Sequence, residues 1–199
     1  MPNRGVFLDR DGTINDEVRY LGHESQLRLI DGAPDAIKLL KNSGFKVIVI
    51  TNQSGVARGY FSEKRVEHIH RALEEKLRSY NANYDAVYYC PHHPTEGIGP
   101  YKIACDCRKP NPGMLKRAEQ ELDLALCRSY VIGDKISDLE AGYAVGCQGV
   151  LVQTGYGLDV EADLGSYSRR PDHIAANVLE AARWIVSQEI GGIDHGTST

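Results

Sequence analysis

Two aspartates near the start of the chain, Asp9 and Asp11, are the first residues whose type and spacing could do chemistry. They follow Val6-Phe7-Leu8, an apolar run that reads as a short buried strand, and Gly12 and Asn15 are turn residues that stop it. Side chains alternate across a strand, so carboxylates at i and i+2 project the same way while the chain stays extended. Held side by side they repel, and the pair wants a shared proton or a cation. A hard divalent ion with oxygen ligands, such as Mg²⁺, meets that need. The plain alternative is an Asp-rich turn after an edge strand. The pair therefore needs support from elsewhere in the chain.

Other polar candidates also fall where apolar runs end. Residues 46–50 are apolar, mostly β-branched and unbroken after Lys46, the pattern of a strand buried on both faces, and they run into Thr51-Asn52-Gln53-Ser54. Residues 87–89 lead into a cysteine-bearing loop, and 130–132 stop at Gly133-Asp134. Residues 149–152 read as a further strand and 173–175 as an edge strand. Helical spacing and caps predict helices over 34–42, from an N-cap at Ser62 to about 80, and over 113–122, 138–145 and 177–189. An irregular polar stretch, 16–30, reads as a flap over the strand ends. The alternation predicts a parallel, doubly wound, Rossmann-like α/β sheet in one domain over 1–190. Residues 191–199, rich in Gly, Ser and Thr, are expected to be a disordered tail. Chemistry in such sheets sits beyond the C-terminal strand ends, which would bring Asp9, Asp11, Thr51, Asn52 and Asp134 together.

Composition excludes several classes. The net charge of −4 and pI near 6.0 supply no global basic field for nucleic acid. The N-terminus lacks an apolar signal region, and no run approaches the ~20 apolar residues of a membrane span. A cytoplasmic location, no membrane partner and, from the compact plan, a monomer are expected. Five cysteines argue against a disulfide framework, and the clustering of Cys90, Cys105 and Cys107 points to metal in a reducing compartment. Cys127 and Cys147 read as inert core thiols.

Taken in order, Asp-x-Asp-Gly-Thr, a Thr after the second strand, a Lys before a later helix and Gly-Asp-x-x-x-Asp resemble the haloacid dehalogenase-type phosphatases. More closely, "FLDRDGTIN", "TNQSGVARG", "YYCPHHP", "CDCRKPNPGML" and "GDKISDLEAG" are similar to the heptose 1,7-bisphosphate phosphatases, which lie beside the histidinol-phosphate phosphatases. The resemblance runs from about residue 6 to 154. It implies that Asp9 is the nucleophile, forming an aspartyl-phosphate. Asp11 would be general acid and then general base, a role for a carboxyl that crowding lets hold a proton near neutral pH. Mg²⁺ would be held by the Asp9 carboxylate, the Asp11 main-chain carbonyl and the Asp134 carboxylate. Thr51, whose bland reading is a turn cap, would bind phosphate with the Asn52 and Gln53 backbone, and Lys109 would offset phosphoryl charge. Asp138 reads as an N-cap or a support for the site rather than a ligand.

The 41 residues between Asp9 and Thr51 leave no room for a large inserted cap domain. Substrate contacts are therefore expected from loops: Glu17, Tyr20, Asn52, Gln53, Ser54, Arg58, Arg108 and Lys135. The flap carries Glu17 and Arg19 where the resemblance expects a shorter acid and a neutral residue. Arg108 would grip the second phosphate of a bisphosphate. Cys90, His92, Cys105 and Cys107 form a Cys₃His set suited to structural Zn²⁺; His93 is an alternative fourth ligand, and the resemblance favours His92. The activity implied is Mg²⁺-dependent release of the 7-phosphate of a small sugar phosphate, D-glycero-D-manno-heptose 1,7-bisphosphate. Histidinol phosphate is the alternative substrate. A different class, a zinc-knuckle nucleic-acid binder or 3′-end DNA phosphatase, is opposed by the acidic balance and the lack of a basic, aromatic-laced stretch.

Overall fold

The apolar runs become six strands of a single parallel sheet in the computed structural model, which describes residues 2–191. They are β1 (Arg4–Leu8), β2 (Phe45–Asn52), β3 (Ala86–Cys90), β4 (Tyr130–Gly133), β5 (Gln148–Val152) and β6 (His173–Ala175), ordered β3-β2-β1-β4-β5-β6. Between them run α1 (Ala33–Asn42), α2 (Ser54–Ala57), α3 (Glu63–Arg78), α4 (Gly113–Leu122), α5 (Ile136–Tyr143), α6 (Gly157–Ala162) and α7 (Val178–Gly191). No described helix is long and apolar enough to cross a membrane. Residues 192–199, nearly all of the expected tail, lie outside the described residues.

Strand alternation divides the core in two. Val6, Leu8, Val47, Val49 and Ile132 pack under α1, α3 and α7, whereas Phe7, Ile48, Ile50, Val131 and Leu151 pack under α4 and α5. Both faces are covered, which is why the central strands read as unbroken apolar runs. The strand order reverses at β1, whose neighbours are β2 and β4. The register levels the chemistry: Leu8 pairs with Val49 on one side and Ile132 on the other. Asp9 thus emerges one residue past that level, and Thr51 and Asp134 two residues past it. A crevice beyond a strand-order reversal is where an α/β sheet holds its ligand.

Three expectations change. Helix α5 starts at Ile136 rather than 138, because Asp138 caps from its first turn, accepting the Lys135 backbone N–H at 3.0 Å. Helix α6 went unseen because it buries only Gly157 and carries no apolar stripe. Cys147 is a core thiol, but Cys127 is exposed, lying in the 3₁₀ turn before β4. The flap is irregular as expected, pinned by buried Leu21 and Leu27 and joined to the Asp11 turn by a bridge between Asn15 and Leu29.

Candidate active site

Four buried groups meet where β1, β2 and β4 end. Lys109 Nζ lies 2.8 Å from Asp9 Oδ1, 2.8 Å from Asp138 Oδ1 and 2.8 Å from the Ile50 carbonyl, so all three ammonium hydrogens are engaged. Asn52, at the end of β2, fixes the backbone of Lys109 from both sides: its Oδ1 accepts the Lys109 N–H at 3.1 Å and its Nδ2 donates to the Lys109 carbonyl at 3.0 Å. A residue 57 positions earlier thus sets where the lysine stands. Asp134 is fully buried. Its Oδ2 accepts the Tyr156 N–H at 2.9 Å, while Oδ1 has no hydrogen-bond partner.

Asp9, Asp134 and Asp138 present oxygens within 4.8 Å of one another. Burial and the neighbouring Asp138 push the Asp9 carboxyl up to about 6, against the pull of Lys109. Burial, then Asp9 and Asp138, push Asp134 up to about 8. Burial opposes the charge on Lys109, but Asp138 and Asp9 outweigh it and hold the ammonium above its ordinary value. Lys109 inside the cluster and Lys135 at its edge, 3.8 Å from Asp134 Oδ1, face three acids, and that buried oxygen accepts no hydrogen bond. That donor set, all hard oxygen, fits a divalent cation such as Mg²⁺. Backbone approaches it closely: Gly12 (φ +83°) and Gly155 (φ +57°) face Asp134, and a Cβ on either would run into its carboxylate.

Asp11 does not stand beside Asp9. β1 ends at Leu8 and the chain turns over residues 10–15, with the Ile14 and Asn15 N–H groups on the Arg10 carbonyl, so strand alternation does not carry through to Asp11. The Asp11 carboxylate turns instead to Arg10, which is fully buried and donates from Nη2 to Oδ2 at 2.7 Å and from Nε to Oδ1 at 3.1 Å. Asn15 Nδ2 and Gln53 Nε2 donate to it as well, at 2.9 and 3.0 Å. Burial alone would raise this carboxyl. The Arg10 charge and these hydrogen bonds outweigh burial and hold it below the ordinary value. The carboxyls that burial and neighbouring acids push up are Asp9 and Asp134, not Asp11.

Above the cluster opens a cavity of about 560 Å³, floored by Asp9, Thr51 and Lys109 and rimmed by Arg19, Arg108 and Lys135. Gln53, Ser54, Tyr20 and Glu17 also line it. Glu17 is spent on Lys135 at 3.1 Å. Arg108 donates to the His92 carbonyl at 3.1 Å, which ties it to the cysteine loop. Arg58 does not line the cavity; it pairs with Glu96, and its guanidinium lies 5.9 Å from the Tyr20 ring centroid.

Cys90, His92, Cys105 and Cys107 converge, with ligand atoms within 4.8 Å of one another. His92 turns Nδ1 toward the thiols, 3.5 Å from Cys107 Sγ. His93 uses its Nδ1 elsewhere, accepting the Glu96 N–H at 3.0 Å, which favours His92 as the fourth ligand. Hydrogen bonding from Cys90 pulls the Cys107 thiol down to about 5 while Cys90 is driven up, so the cluster holds one thiolate readily and resists more without a cation. Three thiols and an imidazole at one point fit tetrahedral Zn²⁺.

The comparisons with known proteins agree with this geometry. A HAD-hydrolase-like family model matches residues 106–181. The D-glycero-beta-D-manno-heptose-1,7-bisphosphate 7-phosphatase of Haemophilus influenzae is 44% identical over 154 residues, 77% of this chain and 83% of that protein. This chain belongs to that phosphatase family. The Escherichia coli K12 member is 43% identical over 160 residues, 79% of this chain and 83% of its own. The solved D,D-heptose 1.7-bisphosphate phosphatase of B. bronchiseptica, complexed with magnesium and phosphate, superposes with a TM-score of 0.81 at 29% identity. It covers 93% of this chain and 99% of its own.

Of the residues in the family's motifs, Asp9, Thr51, Asn52 and Lys109 line the cavity, and Asp134 lies buried beneath it against Asp9 and Asp138. The sequence reading missed the roles of Arg10, Asn15 and Tyr156. Arg10 and Asn15 lie inside the quoted "FLDRDGTIN" block, and a charged residue next to an apolar strand is a signal that it is paired in the interior. Tyr156 carried no signal: its backbone N–H does the work.

Proposed function

We propose that this protein is a Mg²⁺-dependent phosphatase releasing the 7-phosphate of D-glycero-D-manno-heptose 1,7-bisphosphate, in nucleotide-activated heptose synthesis. Asp9 carries the reaction. Its Oδ1 is held by Lys109 and the Arg10 N–H, which leaves the other oxygen for attack on phosphorus. The bond from phosphorus to the sugar oxygen breaks as the aspartyl-phosphate forms; Asp11 protonates the departing oxygen and later takes a proton from the attacking water. For that, Asp11 must leave its Arg10 contact in the substrate complex. Thr51 and Lys109 offset the phosphoryl charge. Asp9, the Asp11 main-chain carbonyl and Asp134 would hold Mg²⁺, which when bound neutralises charge between nucleophile and phosphoryl oxygens. Zn²⁺ on Cys90, His92, Cys105 and Cys107 would fix the loop that ends in Arg108 and Lys109.

The observation that carries the substrate assignment is the cationic rim. Asp11, Glu17 and Asp138 line the cavity but are each engaged by Arg10, Lys135 or Lys109. Arg19 and Arg108 enter no ion pair among the described residues. A rim with two such guanidinium groups suits a second phosphate and disfavours the ammonium of histidinol phosphate. The free thiols support a reducing, cytoplasmic setting, and the compact plan a monomer. Phosphate release from both heptose bisphosphate anomers and from histidinol phosphate, measured side by side, tests the assignment. Faster hydrolysis of histidinol phosphate than of either anomer refutes it.

A further inference from the structure

The Gln53 side chain touches two reacting groups at once. It follows β2, is 5% exposed, and its backbone N–H is fixed to the Cys90 carbonyl at 2.8 Å. Its Nε2 lies 2.8 Å from Thr51 Oγ1 and 3.0 Å from Asp11 Oδ2. An amide nitrogen has two hydrogens and no lone pair to give, and a carboxylate paired with Arg10 only accepts. The Asp11 contact therefore dictates which end of the amide faces inward. It follows that Thr51 Oγ1 is the acceptor of the second hydrogen. The hydroxyl's own hydrogen cannot point at Gln53, and among the described residues Thr51 Oγ1 donates to no one. The direction left to it is the cavity, which Thr51 lines.

We propose that Gln53 is a positioning residue: one carboxamide aims the Thr51 hydroxyl hydrogen at a phosphoryl oxygen and holds the Asp11 carboxylate at rest. This rests on the phosphatase reading of Thr51 and Asp11 and adds a coupling that reading does not contain. When a phosphoryl oxygen takes the Thr51 hydrogen, the oxygen becomes a better acceptor for Gln53, because hydrogen bonds in a chain polarise one another. The amide is then drawn toward Thr51 and its hold on Asp11 weakens as substrate arrives.

Gln53→Met keeps the length and removes both donors; Gln53→Glu keeps the shape and replaces them with acceptors. Inorganic phosphate binding to the Mg²⁺-loaded protein, read by calorimetry, reports the Thr51 arm without turnover. In Gln53→Met we expect phosphate affinity and 1/KM to fall about tenfold, on the scale of a lost hydrogen bond, while kcat falls less, because Asp11 no longer has to be released from the amide. Gln53→Glu, whose carboxylate turns the Thr51 hydrogen toward itself and repels Asp11, should lose more on each measure. In a Thr51→Val background, Gln53→Met should no longer alter phosphate affinity. Unchanged phosphate affinity in both single variants, or an equal loss with and without Thr51, overturns the proposal. So does an affinity loss that follows the melting temperature alone, as a merely structural role would give. If the wild-type protein hydrolyses no phosphate ester, it is the phosphatase reading that fails, and the calorimetric comparison still decides the Gln53–Thr51 arm.

Discussion

At the scale of single residues, the site is built against its own electrostatics. Asp134 is buried, has one oxygen that accepts no hydrogen bond and faces two other acids. Removing its charge should relieve repulsion while destroying cation binding. Asp134→Asn keeps an oxygen for the Tyr156 N–H, so at pH 8 without magnesium it should melt a few degrees above wild type, on the order of 1 kcal/mol. It should also lose both the magnesium-induced rise in melting temperature and turnover. A melting temperature below wild type would show that no repulsion is stored there. Asp9→Asn should leave less than about a thousandth of wild-type kcat, since an amide cannot form the acyl phosphate. Detection of a phosphoenzyme in that variant by rapid quench would sink Asp9 as nucleophile. The convergence of Asp9, Lys109 and Asp134 was legible from the sequence, because Asp9 and Asp134 follow apolar runs and Lys109 follows the cysteine cluster. The orientation of Asp11 was not. It depends on Gln53, 42 positions away, and on a buried Arg10 whose partner no spacing rule names.

At the scale of elements, the strands were the most readable because each is an apolar run closed by a polar turn. Helix ends shifted where a capping side chain sat inside the first turn, as Asp138 does, and α6 was invisible because it is stabilised by its surroundings rather than by an apolar stripe. The cysteine loop is the element on which chemistry depends most indirectly. Tyr101 from this loop and Tyr89 from β3 both donate to Glu63 of α3, each at 2.8 Å, but the loop's end is anchored by the Cys/His cluster. Cys107 stands two residues before Lys109, so losing the cluster loosens the chain leading into Lys109 and leaves Asn52 to hold its backbone. Cys107→Ser should drop bound zinc from one equivalent to near zero, lower the melting temperature, and cut kcat more than about tenfold. Elemental analysis and steady-state kinetics on one preparation check this. Full turnover in zinc-free protein would make the loop irrelevant to catalysis.

At the scale of the whole molecule, the buried ionisable groups set how stability responds to pH, and they act in opposite directions. His70 is kept neutral, its pKa pushed down to about 3 by burial and by Arg10. Between about pH 3 and 6.5 the unfolded chain therefore binds the extra proton, and stability from this group rises with pH. Asp9 and Asp134 are raised, to about 6 and about 8, above an ordinary 3.8. Their contribution is complete below pH 3.8 and is lost as pH climbs through the folded values. Up to about pH 6.5 the two tendencies offset one another; above it, with zinc holding Cys107 as thiolate in the native state, the Asp134 loss remains. Zinc-loaded protein without magnesium should thus have a melting temperature that declines from pH 6.5 to 8.5. Saturating magnesium holds both acids ionised in the native state and should flatten that decline, so the magnesium-induced shift grows with pH. Parallel melting curves with and without magnesium across this range would mean that the acid cluster, and with it the cation site on which the mechanism rests, does not carry the charge assigned to it.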